Sequence, residues 1–218
     1  MQALVDQFGD IDIYLFDQLL RGAIASGATV LDAGCGHGRN IVYLLRTGHD
    51  VLATDERPEA IAAVRAMAAR LAPHLPSTNF RCEPVEAMSF ADACSDVVIS
   101  SAVLHFARDE AHFLAMLRGT WRTVRPGGLL FCRLASSIGL EHRIEHIEGR
   151  RFHLPDGSDR FLVDEDLLLS LTVDMGAELV DPLKTTIVPE RPGRRPSRPE
   201  SCQPCRATSS ARSRWDRC

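Results

Sequence analysis

Three groups of residues in this chain could do chemistry. The first is Asp32-Ala-Gly34-Cys35-Gly36-His37-Gly38, an acid followed by three glycines at alternate positions. Glycines at that density let a backbone turn sharply and approach a ligand closely. The acid sets the sign of that ligand: a carboxylate here repels a pyrophosphate and attracts a cation. The second group is Asp55-Glu56, seventeen positions beyond Gly38, where acids can accept hydrogen bonds from hydroxyls. The third is Ser100-Ser101-Ala-Val-Leu-His105. Histidine as a residue type can exchange a proton near neutral pH, which makes His105 the candidate general base. The competing reading of His105 is a packing residue.

Each group needs an element to hold it. Residues 29–33 read as a buried strand that feeds the glycine loop. A helix starting near Arg39 or Asn40 and running to Arg46 follows, so the loop opens onto helical amide groups. Residues 51–55 form a second strand, and residues 58–71 a helix with Pro58 in its first turn. A short third strand at 79–82 and a fourth beginning at Asp96 come next. They precede an amphipathic helix over 109–124, which Pro126 stops, and a fifth strand at 128–134. Residues 164–174 have a helical pattern with an acidic first turn, and 177–188 contain a sixth strand. A leading helix over 11–25 carries Ile13, Phe16, Leu19, Leu20 and Ala23 at helical spacing. Strand and helix alternate, which predicts an α/β fold. It should be doubly wound and Rossmann-like, with a mostly parallel sheet and helices on both faces. Residues 135–160, with His142, His146 and His153, read as a long loop, and a loop of that length in a compact domain is usually functional or partly disordered.

Taken in order, four segments resemble the motifs of class I S-adenosylmethionine-dependent methyltransferases of the small-molecule type. They are Asp32-x-Gly34-x-Gly36-x-Gly38, Val51-Leu-Ala-Thr-Asp55, Asp96-Val-Val-Ile-Ser-Ser-Ala-Val-Leu-His105 and Val124-Arg-Pro-Gly-Gly-Leu-Leu-Phe131. The third glycine comes one residue too early for the G-x-G-x-x-G of dinucleotide enzymes. The resemblance covers residues 29–133 and implies S-adenosyl-L-methionine as cofactor and a small-molecule methyl acceptor. It implies that Asp32 engages the ammonium of the methionine moiety, and that Gly34, Cys35, Gly36, Gly38 and Asn40 line the methionine and ribose portions. Asp55 would accept from the ribose hydroxyls, with Glu56 behind it. Val85 would offer its amide to the adenine, with Glu86 nearby. Ser100 and Ser101 would border the methyl-donor pocket, with His105 as the candidate base. The resemblance implies no metal. The chain departs from the family at Pro84, which stands where an acid is common.

The composition changes abruptly at residue 189. Residues 189–218 hold eight arginines, three acids, five prolines and three cysteines, a net charge of +5 against −9 for residues 1–188. No apolar pattern marks an antiparallel seventh strand, which the family would insert between the fifth and sixth. The sequence therefore predicts a methyltransferase domain over 1–188 and a disordered tail over 189–218. The break itself reads as a shifted reading frame that replaced the strand. Cys35, Cys82, Cys94 and Cys132 read as small buried thiols of a reducing compartment. The acidic body argues against a nucleic-acid groove. No run of eighteen apolar residues suggests a membrane span, and the first residues lack signal-peptide character, so a cytoplasmic protein is expected. Two other functions remain open at this point. One is a nicotinamide-dependent oxidoreductase on a Rossmann sheet, which the glycine spacing and Asp32 oppose. The other is a catalytically disabled cofactor-binding remnant.

Overall fold

A computed structural model of the chain describes residues 2–186 and 200–207. Two short helices lead, α1 (Gln2–Phe8) and α2 (Ile13–Leu20), and alternating elements follow. These are β1 (Thr29–Ala33), α3 (Val42–Arg46), β2 (Asp50–Asp55), α4 (Pro58–Leu71), β3 (Phe80–Cys82), β4 (Ser95–Ser101), α5 (Glu110–Trp121) and β5 (Val124–Ala135). Three short strands then form a separate meander: β6 (Glu145–Glu148), β7 (Arg151–His153) and β8 (Asp159–Phe161). The remainder is α6 (Glu165–Asp174), β9 (Ala177–Leu179), β10 (Lys184–Thr186) and β11 (Glu200–Ala207).

The main sheet runs β3-β2-β1-β4-β5 in parallel, as the sequence predicts. Side chains alternate between its faces, the period that a pleated strand imposes. Val30, Val97, Ile99, Leu129 and Phe131 pack with Leu15, Leu44, Leu45, Ile61 and Val64 of α2, α3 and α4. Leu31, Val98, Leu130, Cys132 and Leu134 pack with Phe113, Met116, Leu117 and Leu168 of α5 and α6. Apolar contact on both faces is what a parallel sheet covered by helices requires. The chain winds outward from β1 in both directions, so a crevice opens at the carboxyl ends of β1 and β4. Open α/β sheets bind ligands at such a switch point.

The structure corrects the tail. Residues 200–207, within the segment expected to be disordered, form β11. It runs antiparallel to β5, from Glu200↔Ala135 to Arg206↔Leu129. Its other side meets β10 at residues 200–202 and β9 at residues 205–207. This is the seventh strand, in the place the family would give it, and the boundary at residue 188 does not separate the tail from the sheet. Pro204 is what disguises it, since proline is rarely found in a strand with neighbours on both sides. Here Pro204 falls level with the break between β9 and β10, where the second neighbour is interrupted. The rest of the expected tail lies outside the described residues.

Other differences are local. The leading helix is shorter than the apolar spacing suggests. It is capped by Asp12, whose carboxylate accepts from the Tyr14 and Leu15 amides, and it ends at Arg21-Gly22, with Gly22 at φ 72°. The expected sixth strand is split into β9 and β10. The loop over 135–160 is ordered by the meander around Leu140, Leu154, Leu162 and Ala135. Of the four cysteines, Cys35 and Cys132 are buried, Cys94 is half-buried and Cys82 is exposed.

Candidate functional site

The glycine loop is built from β1 outward. The Gly34 and Cys35 amides both donate to the Thr54 carbonyl at 2.8 and 2.9 Å, which ties the loop to the end of β2. Gly34 sits at φ 81°, and a Cβ there would lie 2.5 Å from Val103 Cγ2. Only glycine meets both conditions. Val103 reaches this position because Ala102 takes φ 64° directly after β4, a strained conformation for a residue with a side chain. The Gly36 amide donates to Asp55 Oδ2 at 2.8 Å.

Asp55 is buried and draws three donors. Oδ2 takes the Gly36 amide, and Oδ1 takes the Arg57 amide at 3.1 Å and Arg57 Nε at 3.0 Å. Burial opposes its ionisation. The guanidinium and amide of Arg57, with the Gly36 amide, outweigh burial and hold the carboxyl below the usual carboxylate range. Asp32 is the opposite case. Its side chain is fully buried, and Oδ2 has no hydrogen-bond partner among the described residues. Burial pushes its pKa up to about 7, Asp55 adds to the rise, and Arg39 works against it. Two acids on neighbouring strand ends are thus driven apart, one firmly ionised and one poised near neutrality. A buried carboxylate oxygen without a donor is unusual. It fits a ligand that brings its own cationic donor.

Beside the loop lies a cavity of ≈ 370 Å³. It is lined by Gly34, Asp55, Glu56 and Arg57, by Pro84, Val85 and Glu86, and by Val103, Phe106, Arg108, His112 and Met116. Of the expected site residues, Gly34, Asp55, Glu56, Val85 and Glu86 line this cavity, with Asp32, Cys35, Gly36 and Gly38 in or beside its glycine loop. Burial, with Asp32 and Asp55 nearby, raises the Cys35 thiol pKa, so it remains protonated.

Asn40, Ser100 and Ser101 take other positions. Asn40 Oδ1 accepts from the Asp12 amide at 3.0 Å, which anchors α2 to the loop. Ser101 Oγ accepts from Arg39 at 3.2 Å. Ser100 is buried at the end of β4, with no partner for its hydroxyl among the described residues. These residues adjoin a polar cluster that the sequence does not announce. The Asp12 carboxylate, fully buried, is met by Arg133 at 2.6 Å and approached by Arg39 at 3.7 Å. His105 has no exposed surface, contacts the Phe106 ring at 4.7 Å between centroids, and is not among the residues that line the cavity. Sequence reasoning also passed over Arg108, His112 and Met116. The last two lie one turn apart on α5, and that i, i+4 spacing is the signal that could have paired them.

With this geometry in hand, the likeness to known proteins is specific. Residues 31–132 match the family model of a methyltransferase domain. The ubiquinone biosynthesis O-methyltransferase of Methylocella silvestris is 37% identical over 105 residues, 48% of this chain and 39% of that protein. The malonyl-[acyl-carrier protein] O-methyltransferase of Pseudescherichia vulneris is 30% identical over 158 residues, 72% of this chain and 57% of that one. The chain thus spans about half the length of these relatives. Among solved structures, the Burkholderia thailandensis 1,6-didemethyltoxoflavin-N1-methyltransferase, with its substrate and S-adenosylhomocysteine bound, superposes with a TM-score of 0.63 at 24% identity. That match covers 87% of this chain and 75% of the other.

Proposed function

Since the chain belongs, through residues 31–132, to the class I S-adenosylmethionine-dependent methyltransferases, we propose that it transfers a methyl group from S-adenosyl-L-methionine to an oxygen of a small-molecule acceptor. The observation that carries the cofactor is the buried Asp32 carboxylate, whose Oδ2 lacks a donor among the described residues. The ammonium of a methionine moiety supplies that donor. Asp55, already ionised, has acceptor capacity beyond the Gly36 amide on Oδ2 for a ribose hydroxyl. Val85 and Glu86 line the same cavity and are the residues proposed to meet the base. The choice of oxygen follows the relatives' names, both of which specify O-methyl transfer. We propose the cytoplasm as the site of action; no helix among the described residues is long and apolar enough to cross a membrane.

When bound, the cofactor would supply an electrophilic sulfonium methyl, with S-adenosylhomocysteine as the leaving group. The protein supplies proximity and alignment, which can lower a barrier by several kcal/mol. The glycine loop would hold the donor through its backbone, and the Asp12–Arg133 pair holds α2 against the polar cluster beside it. Calorimetric titration with S-adenosylhomocysteine tests the proposal. The folded wild type should bind in the micromolar range, and Asp55→Ala should weaken binding at least tenfold. A folded wild type that binds nothing would sink it.

A further inference from the structure

Pro84 removes the acid that the family commonly uses beside the adenine, yet two residues later the cavity wall carries another. Glu86 is half-buried, and its Oε1 lies 3.1 Å from His112 Nε2. The direction of that bond is set from behind. The Arg108 amide donates to His112 Nδ1 at 3.2 Å, so the ring proton sits on Nε2 and is given to Glu86. His112 is itself held in place, its amide donating to the cap residue Asp109 at 2.7 Å, and its side chain is 12% exposed. Glu86 lines the cavity, and its Oε2 has no hydrogen bond among the described residues.

A second observation ties the same turn to the same helix. Gly119 of α5 lies so close to the backbone of Val85 and Glu86 that a Cβ would overlap the Val85 carbonyl. The helix therefore grips the turn over 85–87 at two levels, by close backbone contact at Gly119 and by the imidazole at His112. Such a grip fixes where the free carboxylate oxygen points.

We propose that Glu86, oriented by His112, reads the 6-amino edge of the cofactor's purine, replacing the acid that Pro84 excludes. The inference rests on the methyltransferase reading above. Glu86 Oε2 accepts from the exocyclic amine, and His112 is a positioning residue that occupies Oε1. A purine without the 6-amino group offers no donor at that place. Hydrogen bonds to charged groups account for roughly ten- to hundredfold in affinity.

The test is calorimetric titration with S-adenosylhomocysteine and with its 6-deamino (purine riboside) analogue, which differ only in the substituent at position 6. The wild type should prefer the adenosyl ligand by about tenfold or more. Glu86→Leu should bind the two within about threefold of each other, mainly by losing affinity for the adenosyl form. His112→Leu should lower the preference in the same direction, and His112→Gln, which keeps a donor, should restore part of it. A purely structural role would weaken both ligands equally. Should Glu86→Leu not fold, Glu86→Gln is read in the same way, with a reduced preference expected. A folded Glu86 variant that keeps the full preference overturns the inference, as does a wild type that binds both ligands alike. A folded wild type that binds neither overturns the functional reading and this inference together.

Discussion

Asp32 offers the sharpest quantitative prediction, because burial sets its pKa and a ligand must reverse the effect. Its ordinary value is 3.8, and in the folded protein it rises to about 7. The difference, about 3 units at 1.36 kcal/mol each, is roughly 4 kcal/mol. The sign follows from proton counting. Between the two values the folded state holds a proton that the unfolded chain has lost, so stability falls as pH rises through this window. The penalty is complete above about pH 7. Asp32→Asn removes it, so the stability difference between variant and wild type should grow by about 2–3 kcal/mol from pH 5 to pH 8 in urea melts. The same proton is linked to binding. An ammonium ligand requires the ionised carboxylate, so binding S-adenosylhomocysteine should release about 0.5 proton at pH 7, about 0.9 at pH 6 and about 0.1 at pH 8. Titrations in two buffers of different ionisation enthalpy measure that number directly. Proton release of zero at pH 6 in a protein that binds the ligand would refute the reasoning, as would a pH-independent stability difference.

Three further outcomes follow from the packing. Gly34→Ala must carry a side chain at φ 81° and collide with Val103; it should lower stability by about 1–3 kcal/mol and abolish the rise in melting temperature that S-adenosylhomocysteine gives the wild type. Arg133→Leu strips the main cation from the fully buried Asp12 and should cost about 3–5 kcal/mol in chemical denaturation, with Asp12→Asn/Arg133→Leu recovering part of the loss. Deleting residues 200–207 uncovers the backbone of β5 from residue 129 to 135; light scattering should show aggregation at concentrations where the full chain is monodisperse, because an exposed strand edge pairs with others.

What the sequence displays, and what it conceals, divides by the range of the interactions involved. The helix α4 was readable end to end, since Pro58 at its first turn and the alanine-rich pattern are local signals. The parallel strands and the glycine loop were equally plain, because buried apolar runs and glycine turns act within a few residues. The leading helix was overextended because Leu20 and Ala23 continue its spacing past Gly22, whose φ of 72° ends it. The strand β11 escaped notice because an arginine- and proline-rich segment lacks β-propensity, and its pairing comes wholly from distant strands. His112 escaped for the same reason. A histidine one turn into an amphipathic helix looks like surface until the turn over 85–87 arrives beside it. His105 is the converse: its type suggests chemistry, and only the folded chain shows that it has no exposed surface.

The pairing of β5 with β11 also bears on how the protein is made. The last residue of β5 is Ala135, and the strand that covers it ends at Ala207. A ribosome adding about 5–20 residues per second needs roughly 4–14 s to synthesise the stretch between them. During that interval the cofactor-binding half of the sheet is complete in sequence, while one flank of its fifth strand has no mate. A nascent chain is therefore exposed to mispairing with its neighbours on a polysome for seconds, far longer than a hairpin takes to close. Holdase chaperones that shield sheet edges should raise the soluble yield of this protein, and slowing translation between codons 136 and 207 should lower it.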